Sequence, residues 1–404
     1  AAVLERVRAE RDRFVGFVVR DTESLPDRER LRGRARFLGP TTLEVAPLAG
    51  ARAAEPTRVE AKAVVVAAGS APFVPPLFDA MRNHVMVSDD IFELKDVPAS
   101  VAVIGTGIIG LELGQALGRL GARVAFFNRS ASLGPFSDPE LRRVVRDTLG
   151  QELTLHLESE MLEALPDGDG VRLRWRGADG VERDDGFERV LVAAGRRPSL
   201  ADLDLERAGI ALNARGQPLW NPTTAQIGDK PVFLAGDVSG HLPLLHEASD
   251  EGRIAGANAA SYPEVTAHQR RVRLVIAFTD PQMAMLGVPY RELDLDAVEI
   301  GEVSYADQGR ARVAGRNQGL VRLYAQRQGC QLIGAEMFGP RVEHMAHLLA
   351  WAVQEGMTVQ HILRMPFYHP VFEEGLRTAL RGLAEKLRVT GDCRCEDLSD
   401  APGA

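Results

Sequence analysis

The stretch Ser100–Ser130, SVAVIGTGIIGLELGQALGRLGARVAFFNRS, decides the fold. A short apolar run, 101–104, ends at Gly105-x-Gly107-x-x-Gly110. A helical pattern follows, breaks at Gly121, and gives way to a second apolar run. Strand, glycine turn, helix and strand in that order is the context in which GxGxxG signals a dinucleotide site. Gly105 permits the tight turn. Gly107 lets a pyrophosphate approach the backbone. Gly110 allows helix and strand to pack closely. The helix N-terminus then faces the phosphates. A purely structural glycine turn is the alternative, and the flanking elements weigh against it.

The end of the second strand selects the coenzyme. An acidic residue there would bind the ribose 2′-hydroxyl of NAD. This chain carries Asn128 and then Arg129. Asparagine does not repel a 2′-phosphate and arginine pairs with one, so the pair points to NADP. In the alternative, Arg129 is a solvated charge and Asn128 still bonds a plain ribose.

Outward from this core, two segments repeat: AVVVAAGSAP at 63–72 and RVLVAAGRRP at 189–198. Each ends an apolar run in a glycine, Gly69 and Gly195, which suggests two related nucleotide domains. Residues 1–20 space Leu4, Val7, Phe14 and Val18 as an amphipathic helix. Residues 31–66 read as short strands. Residues 272–388 change to β segments and two helices, 341–356 and about 371–388, a separate α+β domain. The end, TGDCRCEDLSDAPGA, reads as an acidic tail.

Composition narrows the class. A chain of 404 residues with 45% hydrophobic and 26% charged residues suits two or three globular domains. The net charge of −8 does not favour nucleic acid or an anionic membrane. No apolar run has the length of a membrane span. The first residues lack the pattern of an export signal. Three cysteines argue for a reducing compartment, hence the cytoplasm. The nine histidines show no metal-ligand spacing.

Two further stretches carry chemistry. FLAGDV, 233–238, puts Asp237 at the end of an apolar strand, where a carboxylate suits a ribitol hydroxyl. PFYHPVFEEGL, 366–376, holds His369, with Pro370 placed to open a helix. Glu374 would lie in its first two turns. A carboxylate on one imidazole nitrogen fixes the tautomer and leaves the other nitrogen as a base. Glu373 competes for that partner role, and a surface histidine is the plain alternative. Cys393-x-Cys395 is a candidate dithiol in the tail.

In this order the motifs resemble the flavin-dependent pyridine nucleotide–disulfide oxidoreductases, most closely the dihydrolipoamide dehydrogenases. The residues that carry the resemblance are VVVAAGSAP, the glycine-turn stretch, VLVAAGRRP, VFLAGDV with LLHEASDEGRIAG, FTDPQMAMLG, LIGAEMFGP and HPVFEE. They run from about residue 60 to 388. The resemblance implies an α/β chain with two Rossmann-like nucleotide-binding domains and a C-terminal α+β dimerisation domain. The FAD domain, truncated at its N-terminus, would occupy 1–78 and resume at 201–271. The NAD(P) domain would be 79–200, the interface domain 272–388 and the tail 389–404. It also implies FAD and NAD(P) as cofactors, a homodimer, and a dithiol or disulfide substrate such as a lipoyl group. Asp237 matches the FAD-binding aspartate. Gly69, Gly195, Gly236, His246 and Ala248 fall in the matching nucleotide motifs. Glu112 matches a glutamate that pairs with a lysine near the flavin ring. His369 matches the histidine that reaches across the dimer to a redox disulfide, and Glu374 matches its glutamate.

The departures are as specific. These 404 residues hold no first FAD strand with its own GxGxxG and no C-x-x-x-x-C pair. Either they are a fragment, or the missing part is supplied elsewhere, or the chemistry is lost; a nucleotide-binding dimer without turnover is then the alternative function. Ile108 stands where many relatives carry a tyrosine, and Ala68 and Ala194 replace a usual threonine. Val371 and Phe372 are also atypical. His369 argues against a transhydrogenase, which runs no thiol chemistry.

Overall fold

The computed structural model describes residues 2–48 and 55–390, with side chains through 388. Cys393, Cys395 and the tail lie outside the described residues. The chain forms two compact units, one of residues 1–73 with 195–270 and the other of 74–194 with 271 onward.

The second unit is built on five parallel strands in the order Val85–Met86, Arg189–Val192, Ser100–Ile104, Arg123–Phe127 and Thr154–His156. Parallel strands are covered on both faces, which is why Val101, Ala102 and Val103 are all buried although they point alternately up and down. Helix Ile108–Arg119 covers one face through Leu111 and Leu117. Gly114 makes that approach possible: a Cβ there would lie 2.4 Å from the Phe126 ring. On the other face pack Trp175 and Phe187 of the antiparallel strands Glu160–Asp167, Gly170–Arg176 and Glu182–Phe187.

The same unit contains a five-stranded antiparallel sheet, ordered Leu274–Ala277, Gln282–Gly287, Leu332–Gly339, Leu320–Gln326, Val298–Ser304. Its two faces serve two cores. Met283, Leu320 and Phe338 join Leu111 and Phe136 of the nucleotide-binding part. Their neighbours Ala284, Val321 and Met337 join helices Val342–Gln354 and Glu374–Thr390. The two-residue period of the strand produces this division. A buried polar network closes the junction. Glu336 accepts from Ser137 N, Asp138 N and Tyr290 N at 2.9–3.0 Å. Asp138 caps helix Pro139–Leu149 and accepts from Arg322 Nη1 and Tyr324 OH, both at 3.0 Å. Burial, with Glu336 and Asp138 beside it, drives the Tyr324 pKa upward.

In the first unit, Val64–Val66 pairs in parallel with Val232–Leu234, and helix Leu245–Ser261 packs on them through Ile254 and Ala255. The two repeated segments meet directly: Ser70–Pro72 pairs antiparallel with Arg196–Pro198. Helix Ala2–Glu23 forms over the expected stretch, but only Leu4 is buried. Phe14 and Val18 are 63% and 67% exposed. Apolar periodicity sets which face of a helix is apolar, not what covers it.

Candidate active site

The glycine turn behaves as its spacing requires. Gly105 has φ +110°, and a Cβ there would stand 2.4 Å from Ala193 O. A Cβ on Gly110 would stand 2.3 Å from Gly105 O. These two glycines serve internal packing. A Cβ on Gly107 would meet nothing within 4 Å, so that position opens outward. Gly107 is the N-cap of Ile108–Arg119, so the free N–H groups of the first turn lie beside this opening. The arrangement fits a diphosphate.

The strand end after Phe127 differs from the simplest reading. Arg129 is exposed and makes no ion pair among the described residues. Asn128 instead turns its amide nitrogen inward, donating to Thr106 Oγ1 at 2.6 Å and Ser132 O at 3.1 Å. Sequence reasoning missed Thr106 and Ser132. The signal was a hydroxyl residue inside the glycine motif and the Ser130-x-Ser132 pair after it.

Glu112 lies one turn farther along the same helix. Its Oε1 accepts from Phe278 N at 2.6 Å. Burial raises its pKa, partly opposed by that bond. An acid whose folded pKa is raised adds stability below its ordinary range and loses it as pH rises through the folded value. Glu112→Gln keeps the acceptor and removes the charge. It should therefore melt higher than the parent at pH 8, with the gap closing toward pH 4. A gap that persists at pH 4 would show that the charge is not its source.

In the first unit, Asp237 Oδ2 accepts from Ser70 Oγ at 2.7 Å, and Arg196 Nε donates to the same Ser70 Oγ at 2.7 Å. Ser70 and Arg196 occupy equivalent places in the two repeats. Asp237 Oδ1 has no hydrogen-bond partner among the described residues and fits a ligand hydroxyl. Gly236 has φ +78°, with the Ala248 Cβ 3.3 Å from where its own Cβ would be. The buried Glu251 accepts from Gly236 N at 2.8 Å, and Arg270 bridges Glu251 at 3.2 Å and Glu247 at 2.5 Å. This network fixes the Gly236–Asp237 turn to the helix, and sequence reasoning did not find it. Gly69 and Gly195 both have positive φ with open space beside them. His246 is exposed, 3.9 Å from Glu247 Oε1.

Glu374, rather than Glu373, partners His369. His369 Nδ1 stands 2.8 Å from Glu374 Oε1, while Glu374 Oε2 accepts from Val371 N at 3.1 Å. The geometry comes from a turn. The helix begins at Glu374, so Pro370 precedes it by four residues and does not open it. Gln308 Nε2 donates to Val371 O at 2.7 Å and Tyr305 OH to Phe372 O at 3.3 Å, which pins the turn. The imidazole is 81% exposed and its Nε2 points away from the carboxylate. The His369 bond holds the Glu374 pKa below the usual carboxylate range. Nearby, the exposed Tyr368 lines an apolar cavity of about 390 Å³, and Trp351 is exposed on helix Val342–Gln354. No cluster of His, Cys, Asp or Glu among the described residues could hold a metal, and no helix among them is long and apolar enough to cross a membrane.

Comparison with known proteins agrees with this architecture. Residues 31–252 match the family model "Pyridine nucleotide-disulphide oxidoreductase", and 275–380 match its dimerisation domain. The chain belongs to the pyridine nucleotide-disulphide oxidoreductase family. It is 29% identical to dihydrolipoyl dehydrogenase 2 of Haloarcula marismortui, over 86% of this chain and 74% of that one. It is 27% identical to the mitochondrial dihydrolipoyl dehydrogenase 1 of Arabidopsis thaliana, over 94% and 75%. A soluble pyridine nucleotide transhydrogenase of Mycobacterium tuberculosis is 26% identical over 90% and 76%. Among solved structures, LpdA of Mycobacterium tuberculosis superposes with TM-score 0.74 at 23% identity, covering 86% of this chain and 76% of that one. The flavoprotein disulfide reductase RclA of Escherichia coli gives 0.72 at 21% identity, covering 86% and 78%. The family's members are oxidoreductases that bind FAD and NAD(P), and the α/β fold with a dimerisation domain is the family's own.

Proposed function

We propose that the protein is an NAD(P)H-linked flavoprotein disulfide oxidoreductase of the dihydrolipoyl dehydrogenase type, working as a homodimer. The observation that carries this reading is the His369–Glu374 dyad, whose free imidazole nitrogen faces outward from a pinned turn. A dyad of this form suits a thiol, whose proton must leave before sulfur reacts and return when a disulfide is reduced. A transhydrogenase has no thiol proton to move.

In this reading residues 79–200 bind the nicotinamide coenzyme, with Gly107 and the first helical turn at its diphosphate, Gly105 and Gly110 shaping that turn by close packing, and Arg129 at a 2′-phosphate. Asp237 holds a hydroxyl of FAD, and Gly69, Gly195, Gly236, His246 and Ala248 line the nucleotide loops. Bound FAD supplies the two-electron link between nicotinamide and dithiol. His369 Nε2 takes the thiol proton in the oxidising direction and gives it back in the reducing one. Glu374 holds the tautomer and stabilises the imidazolium. The exposed Trp351 and Tyr368 in the dimerisation domain support burial against a second copy. A lipoyl group is the substrate most in keeping with the relatives, and three cysteines in 404 residues support a cytoplasmic location.

The test is the visible spectrum of the purified, desalted protein, followed by anaerobic addition of NADPH. Flavin bands near one per chain that bleach with NADPH support the reading. A colourless protein that still binds NADPH would overturn it and leave a nucleotide-binding dimer without turnover.

A further inference from the structure

Thr106 and Asn128 belong to two different loops, yet they are joined by short bonds. Thr106 sits inside the glycine turn and is 2% exposed. Its Oγ1 donates to Ser132 O at 2.6 Å and accepts from Asn128 Nδ2 at 2.6 Å. The same Asn128 nitrogen reaches Ser132 O at 3.1 Å and the hydroxyls of Ser130 and Ser132, both at 3.3 Å. Two amide hydrogens are thus shared among four oxygens, all on the protein. Backbone bonds complete the tie, with Gly134 N donating to Thr106 O at 2.9 Å and Ser159 N to Asn128 O at 2.9 Å.

We propose that Thr106, Asn128 and the Ser132 carbonyl form a clip that sets the spacing between the glycine turn and the loop carrying Arg129. Thr106 and Asn128 are then positioning residues for a pyridine dinucleotide. This rests on the reading of Gly105–Gly110 as the nicotinamide-coenzyme site. The diphosphate would lie on one loop and the adenosine ribose on the other, so a dinucleotide spans both. Asn128 cannot donate to the ribose, because its hydrogens are spent within the clip. Its work is to hold the span at one length. A fixed span favours the ligand because no ordering is left for the binding step.

The clip touches neither phosphate nor base, so it strengthens NADPH and NADH alike. That separates it from Arg129, which distinguishes the two coenzymes. It also predicts coupling. Thr106 and Asn128 act through one shared bond, so losing either breaks the relay and losing both adds little.

The experiment is fluorescence titration of NADPH and NADH on the purified chain, which needs no flavin and no turnover. Asn128→Ala and Thr106→Val should each weaken both nucleotides about five- to tenfold, the size of one net hydrogen bond. Thr106→Ser keeps the hydroxyl and should bind within about twofold of the parent. The double variant should bind no worse than about twice as weakly as either single one. Unchanged affinity in Asn128→Ala, or fully additive losses in the double variant, would overturn the clip. A Thr106→Val that fails to fold leaves Asn128→Ala and Thr106→Ser to decide. Gly107→Glu separates the two claims. If it abolishes binding while the clip variants do nothing, only the clip is wrong. If it too leaves binding intact, the coenzyme site itself lies elsewhere.

Discussion

Replacing His369 by glutamine should slow reduction of a disulfide substrate by the flavin-loaded protein by about 10²- to 10⁴-fold, the range of a lost general base. Reduction of an artificial one-electron acceptor by NADPH should be unchanged, because that route moves no thiol proton. The split between the two assays is the point of the experiment. His369 is a surface side chain on a turn held by Glu374, Gln308 and Tyr305, so the substitution leaves the fold intact. Glu374→Ala should lose part of the same rate. It removes both the imidazole's partner and the acceptor of Val371 N. The pH dependence follows in sign. Glu374 has a lowered pKa, so the stability its carboxylate contributes is present above the ordinary carboxylate range and is lost as pH falls through the folded value. Equal rates for parent and His369→Gln would mean that the dyad moves no thiol proton, and the disulfide chemistry would then need another base.

Arg129→Ala should weaken NADPH by about 10- to 100-fold while leaving NADH within about twofold. A charge-assisted contact to a phosphate is worth roughly 1.5–3 kcal/mol. The residue is exposed and has no ion-pair partner among the described residues, so none of them offsets its charge. Exposure has a second consequence. Added salt screens the contact, so the preference for NADPH should shrink as ionic strength rises. Titration of both nucleotides at low and high salt checks this. Equal losses for NADPH and NADH would remove the assignment to NADP. Paired with Asn128→Ala, which should affect both nucleotides alike, the two variants sort coenzyme choice from coenzyme positioning.

Much of the fold could be read in the sequence because the signals are local. A parallel strand buried on both faces must be apolar throughout, and a turn that brings helix against strand must be glycine. Ser100–Ser130 states both conditions within 31 residues. The repeat at 63–72 and 189–198 was also legible. The pairing of its two copies, Ser70 opposite Pro198, was not, since it joins residues far apart in the chain.

The site divides the same way. Sequence alone determined the residue types: three glycines at a turn, an asparagine and arginine where NAD-type relatives carry an acid, a histidine five residues before a glutamate. Spacing of that kind encodes reach, because the backbone between the groups is short. Only the tertiary structure decided where each side chain turns. It aimed Asn128 into Thr106 and Ser132, gave His369 to Glu374 across a turn instead of a helix, and tied Gly236 to Glu251 and Arg270. It also left the apolar stripe of Ala2–Glu23 exposed. Hydrogen-bond partners and covering surfaces come from distant parts of the chain, and no local pattern specifies which of several polar neighbours will be nearest.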